Sequence, residues 1–233
     1  MPRSPADPPL AAGVRWGLPA APALVCSALL AALLAATVSA HGGPFGMDRA
    51  LHGWVLEHRT SWAVAVAVAV TVTGSGVPAY LLAAFAGAMA WPSVRWRGTL
   101  AGALALVSVQ VPRIALASLL ARPRPPAADW AWSASGYAMP SGHTTTSMAV
   151  AVLLTCGVYR SVRGRARPVL LALPALWAVA VGVSRVYLGM HWPTDVLAGW
   201  LLAVVWAGLL GMFLVLLRRR KASAAPSSEG EGS

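Results

Sequence analysis

Between Gly17 and Ala40 the chain runs for twenty-four residues without a charged side chain. As a helix that run covers roughly 36 Å at 1.5 Å per residue, more than the roughly 30 Å of a hydrocarbon core. In lipid a backbone can bond only to itself, so a run of this kind crosses as a helix. It exceeds the roughly 7–15 residues of a signal-peptide core, so it reads as a retained anchor, although Val38-Ser39-Ala40 has the small residues of a cleavage site. Apolar runs recur at 61–92, 99–121, 141–158, 169–186 and 193–217. Only 11% of the residues are charged and 58% are apolar, against about 25% charged in a soluble domain. The expectation is an all-α integral membrane protein with six transmembrane helices in one bundle, residues 17–217. A disordered cytoplasmic segment, 1–16, precedes it, and a basic then disordered tail, 218–233, follows.

Two stretches depart from a simple span. Residues 61–92 would make a straight helix of about 48 Å, too long for the membrane, and are interrupted by Gly74-Ser75-Gly76-Val77-Pro78. They read as an interfacial helix over 62–72, a kink, and a span ending at Trp91. In residues 41–60, Met47, Leu51, Trp54 and Val55 recur at helical spacing, with Asp48, Arg49, His52 and Glu57 elsewhere around the wheel. That pattern predicts a short amphipathic helix in the membrane interface. His52 and His58, six residues apart, do not share a helical face, so a metal site is not expected there.

The net charge of +11 does not indicate a nucleic-acid partner, because the basic residues are dispersed in short loops between spans. Their distribution sets orientation instead. The N-terminal segment, loops 92–98 and 159–168 and the C-terminal tail hold twelve of the eighteen Lys and Arg residues. The other loops hold Arg49, Arg59, Arg122, Arg124 and Arg185, and Arg113 lies within a span. The first set belongs in the cytoplasm of a multi-pass plasma-membrane protein, and the second set outside.

Three polar clusters share that outer face. Arg122-Pro-Arg124-Pro closes the third span, Pro140-Ser141-Gly142-His143 opens the fourth, and Ser184-Arg185 through His191 to Asp195 joins the fifth to the sixth. Pro193 suits a helix start. Asp195 then sits in the first turn, where the dipole favours an anion, and can hold one nitrogen of His191 four residues away. Ser141 suits an N-cap, and Gly142 lets an anion approach the free amides of a helix start. Guanidinium forks match phosphate oxygens. Taken singly, each has a plainer explanation: a structural His–Asp bond, a cap, or arginines snorkelling to lipid headgroups. On one face together they point to an anionic guest and to phosphoryl transfer. One imidazole would attack phosphorus and the other would protonate the leaving oxygen and then activate water. The outer carboxylates Asp48, Glu57, Asp129 and Asp195 are few for a two-metal site, so no metal or cofactor is expected.

These residues resemble the type 2 phosphatidic acid phosphatase superfamily. Its second motif, PSGH, stands as Pro140-Ser141-Gly142-His143, and its third, SRxxxxxHxxxD, as Ser184, Arg185, His191 and Asp195. The resemblance covers roughly residues 45–217. It implies that His191 is the nucleophile forming a phosphohistidine, that Asp195 orients it and that His143 is the general acid and then base. It also implies that Arg124, Ser141, Gly142 and Arg185 bind phosphate, with Arg122 a further candidate. The first motif, KxxxxxxRP, departs: Ala117 stands where Arg124 would require the lysine, and Ala115 where Arg122 would. Arg113, one helical turn before Ala117, is expected to reach toward the site in its place.

The resemblance implies lipid phosphates as substrates and the bilayer as partner: phosphatidic acid, phosphatidylglycerol phosphate, or polyprenyl phosphates and diphosphates. Trp130, Trp132, Tyr137 and Trp192 are placed to sit at headgroup level. The missing lysine favours the alternative of a non-catalytic phospholipid-binding member, and the intact His143, His191 and Asp195 oppose it. A transporter would show internal repeats and midplane charges, and neither is found. The vanadate-dependent peroxidases that share these motifs are soluble.

Overall fold

A computed structural model describes residues 20–223. The expectation for 1–16 lies outside the described residues. Among the described residues eight α-helices form: α1 (Ala20–Ser39), α2 (Gly46–His58), α3 (Ser61–Thr73), α4 (Gly76–Ala90), α5 (Arg95–Leu120), α6 (Gly142–Ser161), α7 (Arg167–Tyr187) and α8 (Pro193–Ser223). Helix α8 continues through Arg218–Lys221 to Ser223, beyond its apolar part, which ends at Leu217. Arg and Lys are good helix formers, and cations suit a helix C-terminus. Residues 224–233 lie outside the described residues.

Four helices are long and apolar enough to cross a membrane: Ala21–Ser39, Pro92–Leu120, Arg167–Tyr187 and Pro193–Leu217. Helices α3 and α4 meet the same test together, bent by 52° at their junction. Among the described residues that makes up to five candidate crossings by length and composition. Helix α6, outside that group, opens with the polar run Gly142-His-Thr-Thr-Thr-Ser147 and is enclosed by α4, α5, α7 and α8. Its Thr144, Thr145, Thr146 and Ser147 are buried against protein, so this helix has no need to be apolar all round. Around it lies the largest core cluster, with Ala79 and Ala83 of α4, Leu106 and Val109 of α5, Ala149 and Val150 of α6, and Ala203 and Trp206 of α8.

Helices α4 and α5 touch backbone to backbone. A methyl group at Gly87 would strike the Gly98 carbonyl, and one at Gly102 would strike the Ala83 carbonyl. Small residues four apart on both helices allow that approach, which is a principal source of attraction between helices in lipid.

Helices α2 and α3 both form where the sequence places them. Helix α2 forms as expected, but its polar side turns inward. Asp48 and His52 are buried, whereas Met47, Leu51 and Trp54 are exposed to the surroundings. The cause is partners within the protein: Asp48 meets Arg122, and His52 meets Asp129 at 2.9 Å. Helix α3 covers the expected 62–72 and is followed by the expected kink. Its sequence, Ser61-Trp-Ala-Val-Ala-Val-Ala-Val-Ala-Val-Thr-Val-Thr73, is apolar on every side. It packs on α7 and forms the first half of the bent pair.

Candidate active site

The C-terminal ends of α5 and α7 and the N-terminal ends of α4, α6 and α8 come together at one end of the bundle around a cavity of about 580 Å³. His143, His191, Arg113, Arg124, Arg185 and Gly142 all line it, and among the described residues no carboxylate does.

His191 lies in the short connection between α7 and α8 and is buried. Its Nδ1 faces Asp195 Oδ2 at 3.4 Å, and its Nε2 accepts a hydrogen bond from Arg124 Nη1 at 2.8 Å. The arginine can only donate, so Nε2 holds its lone pair toward the cavity. Burial, followed by the positive charges of Arg124 and Arg185, pushes the imidazole pKa well below its ordinary value, and a hydrogen bond with the Ala138 backbone opposes them. The ring is therefore neutral at neutral pH, the form a nucleophile needs.

Asp195 is held on both oxygens. Oδ2 accepts from the Trp192 backbone N–H at 2.8 Å, half of a capping box at the start of α8. Oδ1 accepts from Arg122 Nη1 at 2.6 Å.

Here the structure corrects the sequence reading of Arg122. Its side chain is fully buried and faces away from the cavity. Nε donates to Gly42 O, Nη1 to Thr194 Oγ1 and Asp195 Oδ1, and Nη2 to Gly43 O and Asp48 Oδ2. A guanidinium has five N–H groups, and all five are used. Arg122 ties α2 to the start of α8 and keeps nothing for a phosphate. Asp48 completes the tie by accepting from the Thr194 backbone N–H at 3.0 Å and from its hydroxyl at 2.8 Å.

Arg124, two residues on, points the other way. Nε and Nη2 bind the carbonyls of Gly136, Ser135 and Tyr137, and Nη1 binds Met190 O and His191 Nε2. Three of its five bonds fix the 135–137 loop that lines the cavity, and a fourth holds the Met190 carbonyl beside His191. The fifth, to His191, is the one a bound phosphoryl oxygen would take over. Burial lowers its pKa and the Asp195 carboxylate partly offsets that.

Arg185, in the last turn of α7, donates through Nη1 to Thr71 Oγ1 at 3.2 Å. Its Nε is buried with no hydrogen-bond partner among the described residues. An unfilled donor on a buried cation is costly without an anion to meet it.

Ser141 differs from expectation. It stands at the N-cap position of α6, but its side chain makes no cap bond. The hydroxyl accepts from Thr144 Oγ1 at 3.0 Å, and its backbone N–H donates to Asp195 O at 3.1 Å. It is fully buried and absent from the cavity lining, so it joins α6 to α8 behind the wall. Gly142 does line the cavity, and a methyl group there would lie at an ordinary 3.6 Å from Arg113 Nη1. Arg113 Nε donates to Gln110 Oε1 at 3.2 Å, and Gln110 in turn donates to Thr146 at 3.1 Å. Ala117 lines the cavity beside it. Of the aromatic residues expected at headgroup level, Trp132 and Tyr137 are exposed. Trp192 is buried, and its ring N–H donates to Pro123 O.

Sequence reading missed Asp48, Thr71, Ser75, Gln110, Thr146 and Thr194. The interruption at 74–78 signalled Ser75, but only as a kink. The others are ordinary polar residues whose roles depend on partners far away in the chain.

A bundle of lipid-spanning helices with two imidazoles and three guanidinium groups around one cavity defines a membrane protein built to receive an anion. The chain belongs to the PAP2 superfamily, whose family model matches residues 98–219. It is 43% identical over 68 residues to an undecaprenyl-diphosphatase of Sulfolobus acidocaldarius, covering 28% of each chain. It is 34% identical over 121 residues to a decaprenylphosphoryl-5-phosphoribose phosphatase of Mycolicibacterium smegmatis, covering 50% of this chain and 59% of that one. The chain thus spans less than two thirds of these relatives' lengths, 28% of the first and 59% of the second. The fold is that of the crystal structure of a transmembrane PAP2 type phosphatidylglycerolphosphate phosphatase from Bacillus subtilis. That match has a TM-score of 0.67 and 23% identity, and covers 84% of this chain and 96% of that one.

Proposed function

We propose that the protein is a lipid phosphatase that removes a phosphoryl group through a phosphohistidine on His191. The observation that carries this reading is one cavity lined by two imidazoles and three guanidinium groups and, among the described residues, by no carboxylate. His191 Nε2 attacks phosphorus, and Asp195 holds the opposite nitrogen. The bond from phosphorus to the leaving oxygen breaks, and that oxygen takes a proton from His143. Water then attacks phosphorus and gives a proton to His143. The P–N bond breaks, and the electron pair returns to Nε2. Arg124, Arg185 and Arg113 face the phosphoryl oxygens, and charge neutralisation by guanidinium groups replaces what a metal would supply. Arg113 stands in for the lysine that Ala117 lacks. Its place in the cavity lining beside Gly142 supports this.

The substrate is a phosphomonoester or diphosphate of a membrane lipid. The relatives are named for phosphatidylglycerol phosphate and for polyprenyl-linked phosphates. Helix α6 is the sixth crossing, and the cavity faces away from the cytoplasm. The excess of Arg and Lys at the opposite end supports that orientation in a plasma membrane.

The test is phosphate release by purified protein in detergent with EDTA. Phosphatidic acid, phosphatidylglycerol phosphate and undecaprenyl diphosphate are offered side by side, with His191→Ala as control. Release that survives EDTA and is lost in the variant supports the mechanism and ranks the lipids. Release from none of them favours a phospholipid-binding protein of this fold, and release that requires metal overturns the mechanism.

A further inference from the structure

We propose that Ser75 is a positioning residue for His143, presented by the break between α3 and α4, and that it makes Nδ1 the acid–base atom of that ring. The inference rests on the phosphatase reading above. Ser75 Oγ lies 2.8 Å from His143 Nε2. The described residues offer no hydrogen bond to Nδ1, and the ring lines the cavity. One nitrogen is anchored and the other is free to meet substrate.

The chemistry follows from what each group can donate. In the neutral ring the Ser75 hydroxyl can accept from Nε2–H or donate to Nε2, and either way it holds that nitrogen. In the imidazolium the same bond persists, and Nδ1 carries the proton that goes to the leaving oxygen. Anchoring Nε2 therefore fixes the orientation of the ring through both halves of the cycle. His191 is likewise held on one nitrogen by Asp195, with the cavity-lining Arg124 on the other. The anchors differ in charge. A carboxylate on His143 would stabilise its protonated form and weaken it as an acid, whereas a neutral hydroxyl orients the ring without that cost.

The break is built to deliver this side chain. A methyl group at Gly74 would strike the Val181 side chain, so α3 ends directly against α7. Gly76 has φ +57°, which favours glycine, and starts α4 in its new direction. Thr71, one turn earlier and fully buried, receives Arg185 Nη1. The same segment thus braces the acid–base histidine and one of the phosphate-facing arginines.

The test compares Ser75→Ala, Ser75→Thr and His143→Ala on two substrates. Phosphatidic acid has an alkoxide leaving group that needs a proton, and nitrophenyl phosphate has one that does not. kcat/KM is the readout, because it ends at the first irreversible step. Ser75→Ala is expected to lose about 10-fold on phosphatidic acid and less than about 3-fold on nitrophenyl phosphate, since only the first needs acid catalysis. Ser75→Thr, which restores the hydroxyl, is expected to return both to near the parent value. Equal losses on both substrates, or no loss while His143→Ala shows the leaving-group dependence, would overturn the role of Ser75 alone. A His143→Ala enzyme without leaving-group dependence would overturn the acid role of His143, and this inference with it.

Discussion

Replacing Arg122 with methionine separates the two roles this residue could have. The change removes five hydrogen bonds and leaves Asp48 and Asp195, both fully buried, facing one another without their shared cation. Breaking a buried ion pair by removing one partner costs about 3–5 kcal/mol, because the abandoned charge stays desolvated. At about 2–4 °C per kcal/mol for a chain of this size, Tm should fall by about 6–20 °C. The eleven tryptophans provide the signal for thermal unfolding of the detergent-solubilised protein. Measured well below that Tm, kcat should fall because Asp195 has lost one of its anchors, and KM should stay near the parent value. Arg122→Lys should be only a partial rescue, since three ammonium donors cannot meet five acceptors. A raised KM with an unchanged Tm would refute the reasoning and return Arg122 to the phosphate.

Three further outcomes are expected. Arg113→Ala should lower kcat/KM by about 100-fold, the scale of one lost donor to a developing oxyanion, and adding Ala117→Lys should recover part of it; unchanged kinetics in Arg113→Ala would remove it from the site. The acid limb of the kcat/KM profile, set by His191, should fall below the ordinary imidazole value of 6.5. Positive neighbours disfavour the protonated ring, so Arg124→Gln should raise that pKa and shift the limb of the residual activity to higher pH. Gly98→Val should force α4 and α5 apart and cost upward of about 3 kcal/mol, read as loss of folded protein on size-exclusion chromatography.

What the linear sequence determined is whatever depends on neighbouring residues. Apolar runs of bilayer length specify crossing helices because lipid leaves the backbone no other partner. His191 and Asp195 were legible as a pair because Pro193 starts a helix between them and four residues bring them within reach. Gly142 and His143 were legible because a helix start is a local feature.

Tertiary structure alone decided which way each polar side chain faces. Arg122 and Arg124 are two residues apart in one loop with the same chemistry. One is spent on Asp48 and Asp195 behind the cavity, and the other donates to His191 within it. Ser75 meets His143, and Asp48 meets Thr194, across separations of 68 and 146 residues. Such pairings arise when helices dock and buried polar groups take the partners that packing brings near, because an unpaired one in an apolar interior is too costly to keep. Neither composition nor spacing carries that information.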